Sequence, residues 1–149
     1  MSAPCRLLDF DDAADAGVGR VGGKAATLGR LRRCGLPVPP GFVVTTAAWH
    51  EFADALADAA QAAGDDPERL AALRARIAAS PRPPAFAAEL AAALASRDWT
   101  ATPLAVRSSA PMEDSRRASF AGIHHSELNV TGAAALADAV RAVWASLWT

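Results

Sequence analysis

The stretch VGGKAATLGRLRRCGLPVPPGFVVTTAAW, residues 21–49, contains the start of a helix, its end and the strand that follows it. Alanine and leucine recur at helical spacing from Gly23 to Arg33, and Cys34-Gly35 has the composition of a helix C-cap. The prolines of the next segment favour an extended backbone, so the residues from Phe42 to Thr45 are predicted to form a short buried strand.

The rest of the chain is mostly helical in its periodicity, and it adds two strands. Apolar residues at helical spacing predict four further helices, over residues 47–63, after the Asp66-Pro67 cap, around Leu90 and from Leu136 to Leu147. Strands are predicted in PLAVRSS, residues 103–109, and in GIHHSELNV, residues 122–130. We therefore predict an α+β fold in which the helices pack on a small mixed sheet.

The composition is that of one globular domain. The chain has 149 residues and a net charge of −1, so neither a nucleic acid nor an anionic membrane is expected as a partner. No apolar run approaches the ~20 residues that span a bilayer, and the acidic N-terminal segment lacks the features of a signal peptide. Cys5 and Cys34 have neither metal-site nor disulfide-framework spacing. We predict a cytoplasmic protein with reduced thiols.

Lys24 is the only lysine in the chain, and the other 14 basic residues are arginines. Gly22 and Gly23 precede it, and they would let backbone N–H groups approach an anion at the start of a helix. A lysine in the first turn is unfavourable against the helix dipole, and a bound phosphate would reverse that sign. The alternative is a glycine turn with a solvated lysine.

Two common phosphate-binding motifs do not fit these glycines. Gly17, Gly19 and Gly22 have the spacing of the dinucleotide fingerprint, but the preceding residues, FDDAADA, are not a buried strand. A Walker A loop requires glycine at position 18 and serine or threonine at position 25, where the sequence has Val18 and Ala25.

A second candidate site lies in LAVRSSAPMEDSRRASFAG, residues 104–122. Arg107 ends an apolar strand, where a charge requires a partner, and its planar fork suits a phosphate. A loop that ends in Gly122 could cover phosphates. The alternative is a surface loop in which Arg107 forms a salt bridge with Glu113 or Asp114.

These two stretches, together with AVWASLWT near the C-terminus, resemble a known family. It is the nucleotide-binding domain shared by phosphoenolpyruvate synthase, pyruvate phosphate dikinase, rifampin phosphotransferase and glucan water dikinase. The resemblance runs from about residue 18 to residue 149 and is weakest between residues 50 and 98. It implies that residues 1–149 are the N-terminal part of one ATP-grasp domain, its first subdomain, with the remainder of the domain absent at the C-terminal end.

The resemblance also implies roles for particular residues. Lys24, with Gly22 and Gly23 before it, would meet the phosphates of ATP. Arg107 would contact the transferred phosphates and is the catalytic candidate. The turn that ends at Gly122 would lie over the phosphates, and Ser126 offers a hydroxyl where the family commonly has threonine.

The chain also departs from the family pattern. Ile123-His124-His125 stands where the family usually has polar residues, often glutamine. The two histidines are not expected to carry the phosphoryl group, because the family's carrier lies on a different domain. Magnesium would bridge the phosphates, and its protein ligands are expected outside this chain.

The function implied is ATP-dependent phosphotransfer of the dikinase type. A phosphoryl group would pass from ATP through a histidine on another domain to an acceptor such as pyruvate. The alternative is a non-catalytic module that keeps the fold and binds a partner or small ligand. The second half of the domain and the phosphohistidine domain are expected in the same full-length protein or in a separate chain, so this chain alone should be inactive.

One further expectation concerns the C-terminal helix, whose apolar stripe persists close to residue 149. Val143, Trp144, Leu147 and Trp148 are expected to be partly exposed, and they would favour self-association.

Overall fold

The computed structural model describes residues 5–54, 56–81, 83–109 and 126–148. Within these ranges the chain forms eight helices and four strands. In chain order they are β1 (Leu7–Asp9), α1 (Phe10–Ala13), α2 (Val18–Val21), α3 (Gly23–Arg33), β2 (Phe42–Val44), α4 (Thr46–Asp54), α5 (Ala57–Ala63), α6 (Pro67–Ala79), α7 (Pro84–Ala95), β3 (Leu104–Arg107), β4 (Ser126–Val130) and α8 (Ala133–Ala145).

The chain divides into two compact units. The described residues of the first unit are 5–51 and 109, and those of the second are 52–54, 56–81, 83–108 and 126–148. One boundary between the units therefore falls inside α4, after Glu51, and another falls between Ser108 and Ser109. That the whole chain is part of one domain stays a prediction.

The predicted α+β class is confirmed, although the strands pair differently from the expectation. β1 and β2 form one antiparallel pair in the first unit, with Leu7 opposite Val44. β3 and β4 form another antiparallel pair in the second unit, with Leu104 opposite Val130. The described strands thus make two small antiparallel sheets where one mixed sheet was expected. β2 takes its partner from β1, which at three residues is too short for alternation to be recognised in the sequence.

Helix α3 has the predicted bounds and the predicted C-cap. The Gly35 N–H donates to the Arg32 carbonyl at 2.9 Å, and the Leu36 N–H donates to the Leu31 carbonyl at 3.1 Å. These two bonds are those of a Schellman motif, which satisfies carbonyls that the end of a helix leaves without intrahelical partners.

The buried core of the first unit consists of alanines and valines. It contains Ala13, Val21, Ala25, Ala26 and Val43, with three partly buried side chains packed against it: Leu8, Phe10 and Ala16. Helix α3 packs closely on α1, because a Cβ at Gly29 would lie 2.3 Å from the Phe10 carbonyl oxygen. Any side chain at residue 29 would push the two helices apart.

Gly22, between α2 and α3, makes an even closer approach. Its φ is +80° and its ψ is 165°, a backbone conformation that is essentially restricted to glycine. A Cβ at this position would lie 1.2 Å from the backbone carbonyl oxygen of Ser109. Both the backbone conformation and the available space therefore oppose any other residue at position 22.

The second unit has a core of large side chains around α8. This helix packs against α6, α7 and both strands of the β3–β4 pair. Ile77, Leu90 and Leu94 are completely buried. The ring of Trp144 contacts those of Phe52 and Phe86, at centroid distances of 5.1 and 5.8 Å.

This packing corrects the expectation about the C-terminal helix. Val143 and Trp144 were expected to be partly exposed, but they are buried at 6% and 9% relative exposure. Trp144 is covered because α4 and α7 supply aromatic neighbours, Phe52 and Phe86, within the same unit. Leu147 and Trp148 are half-buried, as expected.

Two other predictions can be compared with the second unit. The Asp66 cap is confirmed, because its carboxylate accepts hydrogen bonds from the Glu68 and Arg69 amides at 3.0 and 3.2 Å. The single helix over residues 47–63 is wrong: α4 ends at Asp54 and α5 begins at Ala57. Leu56 has the non-helical angles φ −117°, ψ 0° and is buried, so the interruption places an apolar side chain in the core.

In the part of the chain that the structure describes, no helix is both long and apolar enough to cross a bilayer.

A matched pair of leucines tests the core of the second unit. Leu90→Ala removes a fully buried side chain and should lower the free energy of unfolding by about 2–5 kcal/mol. Leu128→Ala removes a side chain that is 66% exposed and should change the free energy of unfolding by less than about 0.5 kcal/mol. Urea denaturation of both variants measures the difference, and equal losses would contradict the assigned core.

Two glycines test the contact at the start of α3. Gly17 has φ +83° and no heavy atom within 4 Å of the place that a Cβ would occupy, so Gly17→Ala should cost only backbone strain, about 1–3 kcal/mol. Gly22→Ala adds the overlap with Ser109 and should cost at least about 1–3 kcal/mol more. Thermal unfolding of the two variants compares them. Equal melting temperatures would show that the Ser109 contact is absent.

Candidate functional site

The first group of candidate residues lies at the start of α3. Gly22 and Gly23 are buried, and the side chain of Lys24 is exposed in the first helical turn. The short helix α2 ends at Val21, so Gly22 turns the chain from one helix directly into the next. This turn is the local reason why Lys24 lies at a helix N-terminus.

The helix dipole favours some of the positive charges on α3 and disfavours another. Arg30, Arg32 and Arg33 lie in its last turn, where positive charge is stabilised by the helix dipole. Arg33 forms a salt bridge with Asp15 at 2.7 Å, and that hydrogen-bonded carboxylate raises the pKa of the guanidinium. Lys24 lies at the opposite end, where no acidic residue occupies the first turn. An anion bound there would offset its unfavourable position.

The backbone N–H groups at this end are partly used already. The Gly22 N–H donates to the Val18 carbonyl at 2.7 Å, and the Ala25 N–H donates to the Ser109 hydroxyl at 2.9 Å. An anion at this helix start could not take either donor without breaking an existing bond. The glycine at position 22 is also explained by the approach of Ser109 without any ligand.

Ser109 is the residue that the sequence reasoning missed. Its hydroxyl donates to the Val21 carbonyl at 2.9 Å while it accepts from the Ala25 N–H, across 84 positions of sequence. A signal for it existed in the sequence. Helix α3 begins at glycines, which carry no capping side chain, so its orphan N–H groups require a partner from elsewhere.

The second group of candidates lies on the β3–β4 pair. Arg107 is the last residue of β3, as predicted, and it is directly opposite Ser126, the first residue of β4. Directly opposite residues of an antiparallel pair share one face of the sheet. Both side chains are exposed. The strand pairing thus brings together a guanidinium and a hydroxyl, both of which can donate hydrogen bonds to a phosphate oxygen.

The two groups belong to different units: Gly22, Gly23 and Lys24 to the first, and Arg107 and Ser126 to the second. Whether they serve the same phosphate stays a prediction. Gly122, the predicted end of a phosphate-covering loop, lies outside the described residues, as do His124, His125 and the alternative salt-bridge partners Glu113 and Asp114.

No metal centre is defined by the side chains that the structure describes, which contain no cluster of three or more histidine, cysteine or acidic residues that could hold an ion. The ligands of a magnesium ion therefore stay unassigned, and no step of the chemistry is derived through it.

A family model described as the pyruvate phosphate dikinase AMP/ATP-binding domain matches residues 18–149. The match begins just before the Gly22-Gly23-Lys24 turn and includes both candidate groups. The fold is also compatible with it, because the described residues combine eight helices with two small antiparallel sheets.

Individual relatives carry related names. Rifampicin phosphotransferase from a Streptomyces species is 39% identical over 96% of this chain and 18% of that protein. Phosphoenolpyruvate synthase from Aeropyrum pernix is 37% identical over 87% of this chain and 18% of that protein. Phosphoenolpyruvate synthase from Pyrococcus furiosus is 31% identical over 94% of this chain and 23% of that protein.

The chain spans about a fifth of the length of these curated relatives. Its similarity to them covers nearly all of its own residues, and the family model covers far more than half of them. The chain therefore belongs to the pyruvate phosphate dikinase AMP/ATP-binding domain family.

Proposed function

We propose that this chain is the ATP-binding part of a phosphotransferase. The observation that carries the proposal is the match of residues 18–149 to an AMP/ATP-binding domain family. The relatives named above are a phosphotransferase and two synthases, so a non-catalytic binding module is not favoured.

The candidate residues suit the handling of phosphates. Lys24 supplies an exposed positive charge at a helix N-terminus, where the dipole adds to the attraction for an anion. Arg107 supplies a planar fork that can bind two phosphate oxygens at once, and it is the proposed catalytic residue. Ser126, opposite Arg107, supplies a hydroxyl donor. Phosphoryl transfer depends mainly on such positioning and charge neutralisation.

The finer features of the activity belong to the same proposal. We propose an ATP-grasp fold of which this chain is the first subdomain, with Gly122 in a turn over the phosphates and Mg²⁺ bridging them. The phosphoryl group would pass to a histidine on another domain and then to an acceptor such as pyruvate. The greater length of the relatives supports the presence of further domains, in the same protein or in a separate chain. A cytoplasmic location also remains a proposal.

Substitution of the two charged candidates tests the proposal. In the complete protein, Lys24→Ala and Arg107→Lys should each weaken ATP binding about tenfold or more, because each removes charge-assisted hydrogen bonds that contribute roughly 1.5–3 kcal/mol. Lysine at position 107 keeps the charge but cannot reproduce the bidentate fork. Titration calorimetry measures the affinity, and thermal unfolding should show little change because both side chains are exposed.

Arg30→Ala is the matched control for charge, since it removes an exposed cation from the other end of α3. It should leave ATP affinity unchanged. If Lys24→Ala and Lys24→Arg both left ATP affinity unchanged, Lys24 would be an ordinary solvated side chain. It would then have no part in the proposed phosphate site.

The isolated chain should not turn ATP over. Since the second half of the nucleotide site is proposed to lie outside these 149 residues, the purified chain should bind ATP weakly and release no phosphate above background. A coupled phosphate-release assay measures this, with Arg107→Ala as the control for a contaminating ATPase. Steady hydrolysis that Arg107→Ala abolishes would contradict the assignment of an incomplete site.

A further inference from the structure

We propose that Ser109 is a positioning residue for Lys24, a role that rests on the proposed function of Lys24 in ATP binding. Ser109 is half-buried, and its side chain lies among the backbone atoms around the Gly22 turn. It is not itself proposed to touch the nucleotide.

The Ser109 hydroxyl makes two hydrogen bonds at this turn. Ser109 Oγ donates to the Val21 carbonyl and accepts from the Ala25 N–H, both at 2.9 Å. These two groups lie on either side of the three residues Gly22, Gly23 and Lys24. The hydroxyl therefore links the two ends of the short segment that contains the lysine, and it restrains both ends at once.

Helix α3 has no capping side chain of its own at this end. Gly22 occupies the N-cap position and makes no side-chain hydrogen bond. Ser109 thus performs the role of an N-cap residue from a distant part of the chain. Without its hydroxyl, the Ala25 N–H and the Val21 carbonyl would lose these partners, and the first turn, which contains Lys24, would be free to fray.

Helix α3 makes a second close contact further along its length. Gly29, two turns beyond Gly22 on α3, lies against the Phe10 carbonyl. The close contacts at Gly29 and at Gly22 oppose a shift of the helix along its axis. Removal of the Ser109 hydroxyl should therefore loosen the first turn locally instead of shifting the whole helix. ATP binding through Lys24 would then have to restore the order of that turn.

A double-mutant cycle in the complete protein tests this role, with ATP as the probe and calorimetric affinity as the readout. Ser109→Ala alone should weaken ATP binding about fivefold, and in the Lys24→Ala background it should weaken it by less than about twofold, because a positioning residue acts only through the group that it positions. Amide hydrogen exchange should show faster exchange at Ala25 in Ser109→Ala.

Thr27→Ala is the matched control, because it removes a hydroxyl from the exposed face of the same helix. It should leave ATP affinity unchanged in both backgrounds. If Ser109→Ala does not fold, Ser109→Cys enters the same cycle, since a thiol occupies the position but is a weak donor and acceptor.

The possible results of the cycle distinguish the role of Ser109 from that of Lys24. A strongly non-additive cycle supports the positioning role. If Lys24→Ala weakens ATP binding but Ser109→Ala is silent or fully additive with it, the positioning role is overturned while the proposed function stands. If ATP does not bind to the complete protein, or Lys24→Ala leaves its affinity unchanged, the proposed use of Lys24 fails and this inference fails with it.

Discussion

The close contact between the Ser109 backbone and Gly22 is the constraint on which the first unit depends. It requires a residue without a side chain at position 22, in a backbone conformation that other residues rarely adopt. It also places the Ser109 hydroxyl where it caps α3. Because α3 approaches α1 closely at Gly29, its buried face carries alanines instead of leucines. The first unit thus combines close backbone packing with a core of alanines and valines, whereas the second packs large apolar side chains around α8.

The elements with strong local signals could be predicted from the sequence. Helix α3 has a periodic face and a glycine after its end, and Asp66-Pro67 is a complete start signal for α6. The elements that were missed, β1, α1 and α2, have only three or four residues and are formed by their tertiary contacts. The burial of Trp144 could not be predicted either. It depends on Phe52 and Phe86, which are distant in sequence, and the periodicity of α8 alone contains no information about them.

The candidate site was predictable to the same limited degree. The lone lysine and the arginine at the end of an apolar strand could be selected from local chemistry. The pairing of Arg107 with Ser126 could not be predicted. The register of β3 and β4 contains an irregularity between Leu104 and Val106 that the sequence does not reveal. Ser109 was missed for a related reason: its hydroxyl bonds to Ala25, which lies 84 positions away in the sequence.

The strong preference of this chain for arginine has a practical chemical consequence. Amine-directed reagents do not modify guanidinium groups under the mild conditions that acylate amines, so the exposed Lys24 carries the only side-chain amine that they would meet in these 149 residues. A fluorophore or a crosslinker attached through an amide to a side chain would therefore mark the start of α3, and a free α-amino group is the other amine that such a reagent would modify. For the same reason, acetylation of a lysine side chain in this chain would have a single target, and it would remove the positive charge there.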